Sequence, residues 1–172
     1  MKDEEEDCFV PALVDLPAKV KQISAGDSHT VALTEDGRVF YWGTFRDSSG
    51  SFGLTPDGQL RKLPVHLALP GNLEVVKISS GADHIAMLTS GGELYTVGCA
   101  EQGQLGRVAE RFVARGGRRG LELLLLPERV HAKNRRTVFS DVWAGSYDTL
   151  ALSTDNEVLV CGLNNYNQAR YF

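Results

Sequence analysis

Cysteine is scarce in this sequence and shows no pairing: Cys8, Cys99 and Cys161 are scattered, without a Cys-x-x-Cys spacing. That argues against a disulfide framework and predicts reduced thiols, as in a cytosolic or nuclear protein. Cys99 and Cys161 each stand beside a Gly that closes an apolar run, which predicts buried core thiols. No apolar run is long enough to span a bilayer. The opening MKDEEED is acidic and has no apolar core, so a secretory signal is not expected. Catalytic signatures are missing too. There is no Gly-x-Ser-x-Gly elbow, no His-Glu-x-x-His helix and no phosphate-binding Gly-rich loop before a helix. The expectation is a chain with no catalytic residue, no metal site and no cofactor, which does not itself hold nucleotide.

Glycine is abundant, with 18 residues, and points to many turns between short strands. The glycines fall in a repeat. Residues 20–43 read VKQISAGDSHTVALTEDGRVFYWG, residues 75–98 read VVKISSGADHIAMLTSGGELYTVG, and residues 139–162 read FSDVWAGSYDTLALSTDNEVLVCG. The three align without gaps, pairing Gly26 with Gly81 and Gly145, and Gly43 with Gly98 and Gly162. Each has a short apolar run, a turn and a second apolar run. Gly37, Gly92 and Asn156 close the turns, and both residue types tolerate positive φ. Segments opened by Pro11, Pro64 and Pro127 predict a further strand upstream of each core. About four short antiparallel strands per unit make a propeller blade. The period exceeds the 40–45 residues of WD40 units, and there is no Trp-Asp dipeptide.

Charge is uneven. The chain carries a net −4, yet residues 107–136 hold nine Lys/Arg against three Glu. A local docking surface and a plain solvated loop both fit that pattern. The connection after Gly43, GTFRDSSGSFG, is two residues longer than GCAEQGQLG after Gly98 when both are counted to a Gly-x-x-Gly. It also carries Phe45 and Phe52 around a charge pair and a turn. On the residues alone it is either a longer surface hairpin or a contact surface rimmed by aromatics.

The combination SAGDSHTVALTEDGRVFYWG, then SSGADHIAMLTSGGELYTVGCAEQGQLG, resembles the regulator of chromosome condensation repeat. Its marks are Gly-x-x-His, the turn, the closing Gly and Gly-Gln-Leu-Gly. FRDSSG and the insertion RFVARGGRRGLE bring the chain nearest to the family's guanine-nucleotide exchange factors for the small GTPase Ran. The resemblance implies an all-β, seven-bladed β-propeller, of which about three blades are here. Residues 1–8 would be an acidic tail. Residues 9–172 would be the partial propeller, with a basic insertion at 107–126. The last copy runs into GLNNYNQARYF where the family continues Gln-Leu-Gly, so a truncated form with little or no activity alone is expected.

The same resemblance implies roles for particular residues. The wedge of Phe45, Arg46, Asp47, Ser48, Ser49 and Gly50 would act beside the GTPase's nucleotide site. Asp27 and Asp83, on equivalent loops between the second and third strands of a unit, would engage Ran. Turn aspartates that bond their own backbone are the bland alternative. Arg115, Arg118 and Arg119, on a Gly-rich tip after a helical turn in AERFVAR, would meet the acidic patch of core histones on the nucleosome. DNA phosphates are a further partner, a membrane is not, and the nucleus is the expected location. His29 and His84 share a repeat position, which argues for architecture, each tying its loop to a neighbouring backbone. Two rivals stand beside the exchange factor: a non-catalytic repeat scaffold for protein–protein contacts, and an enzyme using Asp27 and Asp83 as an acid/base pair.

Overall fold

A computed structural model describes residues 9–109 and 118–168. Three antiparallel sheets follow one another along the chain. The first contains β1 (Val20–Ala25), β2 (His29–Thr34), β3 (Val39–Gly43) and β6 (Arg61–His66). Between its last two strands lies a separate hairpin, β4 (Phe45–Asp47) and β5 (Gly50–Gly53). The second sheet contains β7 (Val75–Ser80), β8 (His84–Thr89), β9 (Leu94–Gly98) and β10 (Glu128–Arg129). The third has β11 (Phe139–Ala144), β12 (Asp148–Ser153) and β13 (Val158–Gly162). A single α-helix among the described residues, α1 (Arg118–Leu125), precedes β10, and a 3-10 turn, Pro70–Asn72, precedes β7.

The gapless repeat is reproduced strand for strand. Leu33 faces Val39, Leu88 faces Leu94, and Leu152 faces Val158 in the three central hairpins. Their turns reach positive φ at Gly37 (80°), Gly92 (75°) and Asn156 (63°), as expected. The Pro-opened segments behave differently from expectation. β6 and β10 pair with β3 and β9, so each is the outer strand of the preceding sheet. Pro64 lies inside β6, at a sheet edge, where its missing N–H costs no ladder bond. Residues 11–16 pair with no strand among the described residues. Asp27 and Asp83 consequently lie between the first and second strands of their sheets, not the second and third.

The sheets stack face to face through their first strands, β1 on β7 and β7 on β11. β8 is buried along its whole length, because both of its faces are covered. Ile85 and Met87 join Val31, Leu33, Val39 and Ile78 on one side, while Ala86 and Leu88 join Leu94, Phe139 and Val142 on the other. This is why the second copy reads apolar at nearly every position of that strand and does not alternate. Polar bonds stitch the stack at repeated places. The Gln22 amide donates to the Ile78 carbonyl (2.7 Å) and accepts its N–H (3.0 Å). One sheet on, the same position holds the Lys77–Asp141 ion pair. The Ser24 hydroxyl accepts the Ser80 N–H and the Ser79 hydroxyl accepts the Ala144 N–H, both at 2.8 Å.

The two end sheets each have a face without a neighbouring sheet among the described residues. Ile23 is 67% exposed, while its counterparts Ile78 and Val142 are at 1% and 0%. Phe9, Leu13 and Val158 are also exposed apolar side chains. The 172-residue chain is therefore expected to self-associate as its concentration rises. Ile23→Lys should weaken that association roughly tenfold without lowering the melting temperature, since burying an unpaired ammonium is costly. Light scattering over a dilution series checks this, and a parent chain that stays monodisperse would count against it.

Candidate functional site

Each sheet's first and third connections emerge at the same end, because the strands alternate in direction. The hairpin β4–β5 rises there from the first sheet, next to the Ala82–Asp83 turn of the second. Its register follows from one conserved arrangement in the two sheets. The Tyr41 hydroxyl donates to the Leu54 carbonyl (3.3 Å), and the Thr96 hydroxyl donates to the Leu105 carbonyl (2.7 Å). Tyr41 and Thr96 each stand two residues before the closing Gly, and both leucines are fully buried. Leu54 and Leu105 are therefore equivalent. The first connection is longer by four residues, not by the two that the Gly-x-x-Gly count gives.

The aromatics of this loop are core, contrary to a contact role for Phe45. Phe45 is fully buried, with ring centroids 4.8 Å from His29 and 6.2 Å from Phe52, and Phe52 packs against the same cluster. What the hairpin presents outward is Arg46, Ser48 and Ser49. Asp47 closes the tip, its Oδ1 accepting the Ser49 N–H at 2.8 Å, and Gly50 follows at φ 119°. The tip is held from the neighbouring sheet. Asp83 Oδ1 accepts the Arg46 N–H (2.8 Å), and Glu101 accepts from the Ser48 N–H (2.9 Å) and hydroxyl (2.5 Å). Glu101 carries no repeat signature, and its place here was not readable from the sequence.

Asp27 and Asp83 meet at this end. The Asp27 N–H donates to the Ala82 carbonyl at 2.8 Å. Burial raises the Asp83 carboxyl above its ordinary range. The Arg46 amide opposes this, and the charges of Asp27 and Asp47 reinforce it. Asp27 itself is exposed. Among the described residues no three His, Cys, Asp or Glu side chains are grouped to hold a metal ion. The turn of the third sheet carries Ser146 and Tyr147 in their place, and the Ala82 N–H reaches the Ser146 carbonyl at 3.0 Å.

The two repeat histidines are structural, and their partners differ. His84 Nε2 lies 2.9 Å from the Thr149 hydroxyl, which itself donates to the Gln104 carbonyl at 2.7 Å. With its one proton committed, that hydroxyl accepts, so His84 carries its proton on Nε2. His29 stands at the same position but has no hydrogen-bond partner on either nitrogen. The residue of the next sheet equivalent to Thr149 is Ile85, which offers none. Burial holds both imidazoles down to about 4. It also pushes the thiols of Cys99 and Cys161 up to about 11; Cys99 is buried as expected, whereas Cys161 is half-buried.

The basic insertion is anchored by a residue that is not on the surface. The Arg107 side chain is 4% exposed. Its guanidinium donates to the carbonyls of Leu123 (2.6 Å), Thr96 (3.0 Å) and Leu126 (3.1 Å) and pairs with Glu128. Leu121, Leu124 and Leu125, at helical spacing, seat α1 on the core shared by the first two sheets. Arg118 and Arg119 open this helix and are not on a Gly-rich tip. Arg115 and the segment AERFVAR (apart from Ala109) lie outside the described residues.

Two four-stranded sheets and one of three strands, stacked and joined at repeated positions with loops gathered at one end, define a partial β-propeller. The family description "Regulator of chromosome condensation (RCC1) repeat" matches residues 20–53, 75–104 and 139–168, and a second description of that repeat matches 2–33. The chain belongs to the regulator of chromosome condensation repeat family. It is 53% identical over 161 residues to the regulator of chromosome condensation of Xenopus laevis, covering 92% of this chain and 38% of that protein. It is 32% identical over 152 residues to the guanine nucleotide exchange factor SRM1 of Saccharomyces cerevisiae, covering 87% and 29%. The crystal structure of Prp20p from Saccharomyces cerevisiae superposes with a TM-score of 0.73 at 31% identity, covering 88% of this chain and 32% of that one. The chain thus spans about a third of the length of these relatives.

Two outcomes follow from the buried groups. Phe45→Ala removes a ring from the centre of the first core and should cost about 3–5 kcal/mol in urea unfolding. A change below about 1 kcal/mol would return Phe45 to the surface. The histidines make the fold acid-sensitive. Folded, they are neutral down to about 4, whereas unfolded they take up a proton near 6.5. The unfolded chain binds more protons between those values. This stability is therefore complete above about pH 6.5 and is lost as pH falls toward 4. The urea midpoint should drop between pH 7 and 4.5, and His29→Gln should flatten part of that drop.

Proposed function

We propose that this chain carries part of the exchange surface of a guanine-nucleotide exchange factor for the small GTPase Ran, in a nuclear, chromatin-associated protein. The observation that carries the reading is the inserted hairpin, braced on the neighbouring sheet beside Asp27 and Asp83. A repeat that served only to build the propeller has no use for four added residues at that place. The names of the relatives support the class of activity.

Exchange needs no covalent step. The factor binds the nucleotide-free GTPase better than the loaded one, and by linkage nucleotide affinity falls by the same factor. In this reading Arg46, Ser48 and Ser49 press on the GTPase as a preformed tip, with Asp47 and Gly50 shaping the turn. Phe45 contributes from beneath, as the tip's attachment to the core. Asp27 offers an exposed carboxylate, and Asp83 the oxygen that the Arg46 amide leaves free. Prp20p has been studied for its binding to Gsp1p and histones. For this chain we assign histone contact to Arg115, Arg118 and Arg119, facing the acidic patch of the nucleosome, with DNA phosphates as additional partners. α1, clamped by Arg107, carries the last two in its first turn.

Immobilised chain should retain Ran stripped of nucleotide, and excess GDP should release it. Asp27→Ala and Asp83→Asn should each weaken retention by about tenfold or more, equivalent to about 1.4 kcal/mol. Nucleosomes form the second arm and should be lost on Arg118→Glu with Ran binding unchanged. Equal retention of stripped and GDP-loaded Ran would overturn the exchange reading.

A further inference from the structure

The hairpin β4–β5 belongs to the first sheet by sequence, but its tip takes its polar anchors from the second. Of the eleven residues between Gly43 and Leu54 inclusive of the latter, four are an insertion, and a two-stranded ribbon of this length is not stable by itself. Its base is fixed by the buried Phe45 ring. Its exposed end has no apolar attachment, since Arg46, Ser48, Ser49 and Ser51 all face solvent. Beyond its own turn bonds, two carboxylates hold that end. Asp83 takes the Arg46 N–H at the near side. Glu101 takes both the N–H and the hydroxyl of Ser48 at the far side, through its two separate oxygens.

We infer that Glu101 is a positioning residue for the wedge: its carboxylate sets the orientation of the tip relative to Asp83 and thereby the direction in which Arg46 and Ser49 point. A single anchor at Arg46 leaves the ribbon free to pivot about that point. The second anchor, at Ser48, removes the pivot. The geometry is two-pronged, one oxygen for each donor, and bonds to a charged acceptor are about twice as strong as neutral ones. Glu101 lies three residues past Gly98, in the connection that leads to the buried Gln104-Leu105. Its own backbone is therefore tied to the second sheet. The ordering entropy of the tip is met before a partner arrives, which is how preorganisation raises affinity and speeds the productive encounter.

The brace itself is independent of what the wedge acts on; its consequence for nucleotide release rests on the exchange reading above. Amide hydrogen exchange on the 172-residue chain, read by NMR, tests the brace directly. The Ser48 amide should exchange roughly tenfold or more slowly than its unstructured rate. In Glu101→Ala that protection should vanish, while the Arg46 amide and the melting temperature hold. Glu101→Gln should restore most of it, since its Oε1 accepts the N–H and its Nε2 donates to the hydroxyl. An unprotected Ser48 amide in the parent chain, or equal protection in Glu101→Ala, would overturn the brace. The second measurement is retention of nucleotide-stripped Ran on the immobilised chain. Glu101→Ala should weaken retention several-fold, with Glu101→Gln in between. Unchanged retention in Glu101→Ala would overturn the positioning role. Equal retention of stripped and GDP-loaded Ran by the parent chain, with Ser48 protected, would sink the exchange reading and leave the brace established.

Discussion

The closeness of the sheets at three glycines governs the rest of the structure. Gly26, Gly81 and Gly145 sit where each first strand ends, and the residue three positions on folds its side chain back over the glycine. A Cβ on Gly26 would lie 2.1 Å from His29 Cε1 and 2.5 Å from the Gly81 carbonyl oxygen. On Gly81 it would lie 2.1 Å from His84 Cε1 and 2.4 Å from the Gly145 oxygen. What excludes a side chain at Gly26 and Gly81 is the imidazole folded over each together with the next sheet's carbonyl, and at Gly145 it is the Asp148 carboxylate. Approach this close lets the turns bond one another directly, Asp27 to Ala82 and Ala82 to Ser146. The position of Asp83 relative to Asp27 is thus set by main-chain bonds, before any side chain of the site contributes.

A further consequence is directional. In this part of the chain, connections after the third strand lean on the sheet that follows. The hairpin of the first sheet rests on Asp83 and Glu101 of the second. The Gly103–Gly106 segment of the second receives Thr149 and the Cys161 thiol from the third at Gln104. A functional loop of one blade therefore takes its shape from two. Separating two such blades would alter loops as well as sheet edges.

Much of this was legible beforehand. A gapless repeat of 24 residues with fixed glycines specifies hairpins, register and stacking, because each of those depends on local turn chemistry and on which positions are apolar. The outer strands were misassigned for a physical reason. β6 and β10 are short edge strands with little apolar pattern, so a Pro looked like an opening when it sat inside or before a strand of the previous sheet. The wedge aromatics misled in the opposite way. Phe in a polar loop reads as exposed, yet Phe45 stands only two residues past the closing Gly43, where the chain is still over the core.

What composition could not reveal was polar pairing between segments distant in sequence. Arg107 heads a basic stretch and by charge belongs to its docking surface, yet its donors are spent on carbonyls of the insertion and of β9. Burial lowers its pKa, and Glu128 opposes that, so the cation is retained because its bonds are nearly complete. Glu101 is the mirror case: an unremarked acid in a Gly/Gln turn that becomes an anchor only because four inserted residues bring Ser48 to it. Both residues bind sequence-distant backbone rather than each other's side chains, and neither position follows the repeat. Insertions are placed by such singular contacts, while the repeat supplies the frame on which a singular contact can be made.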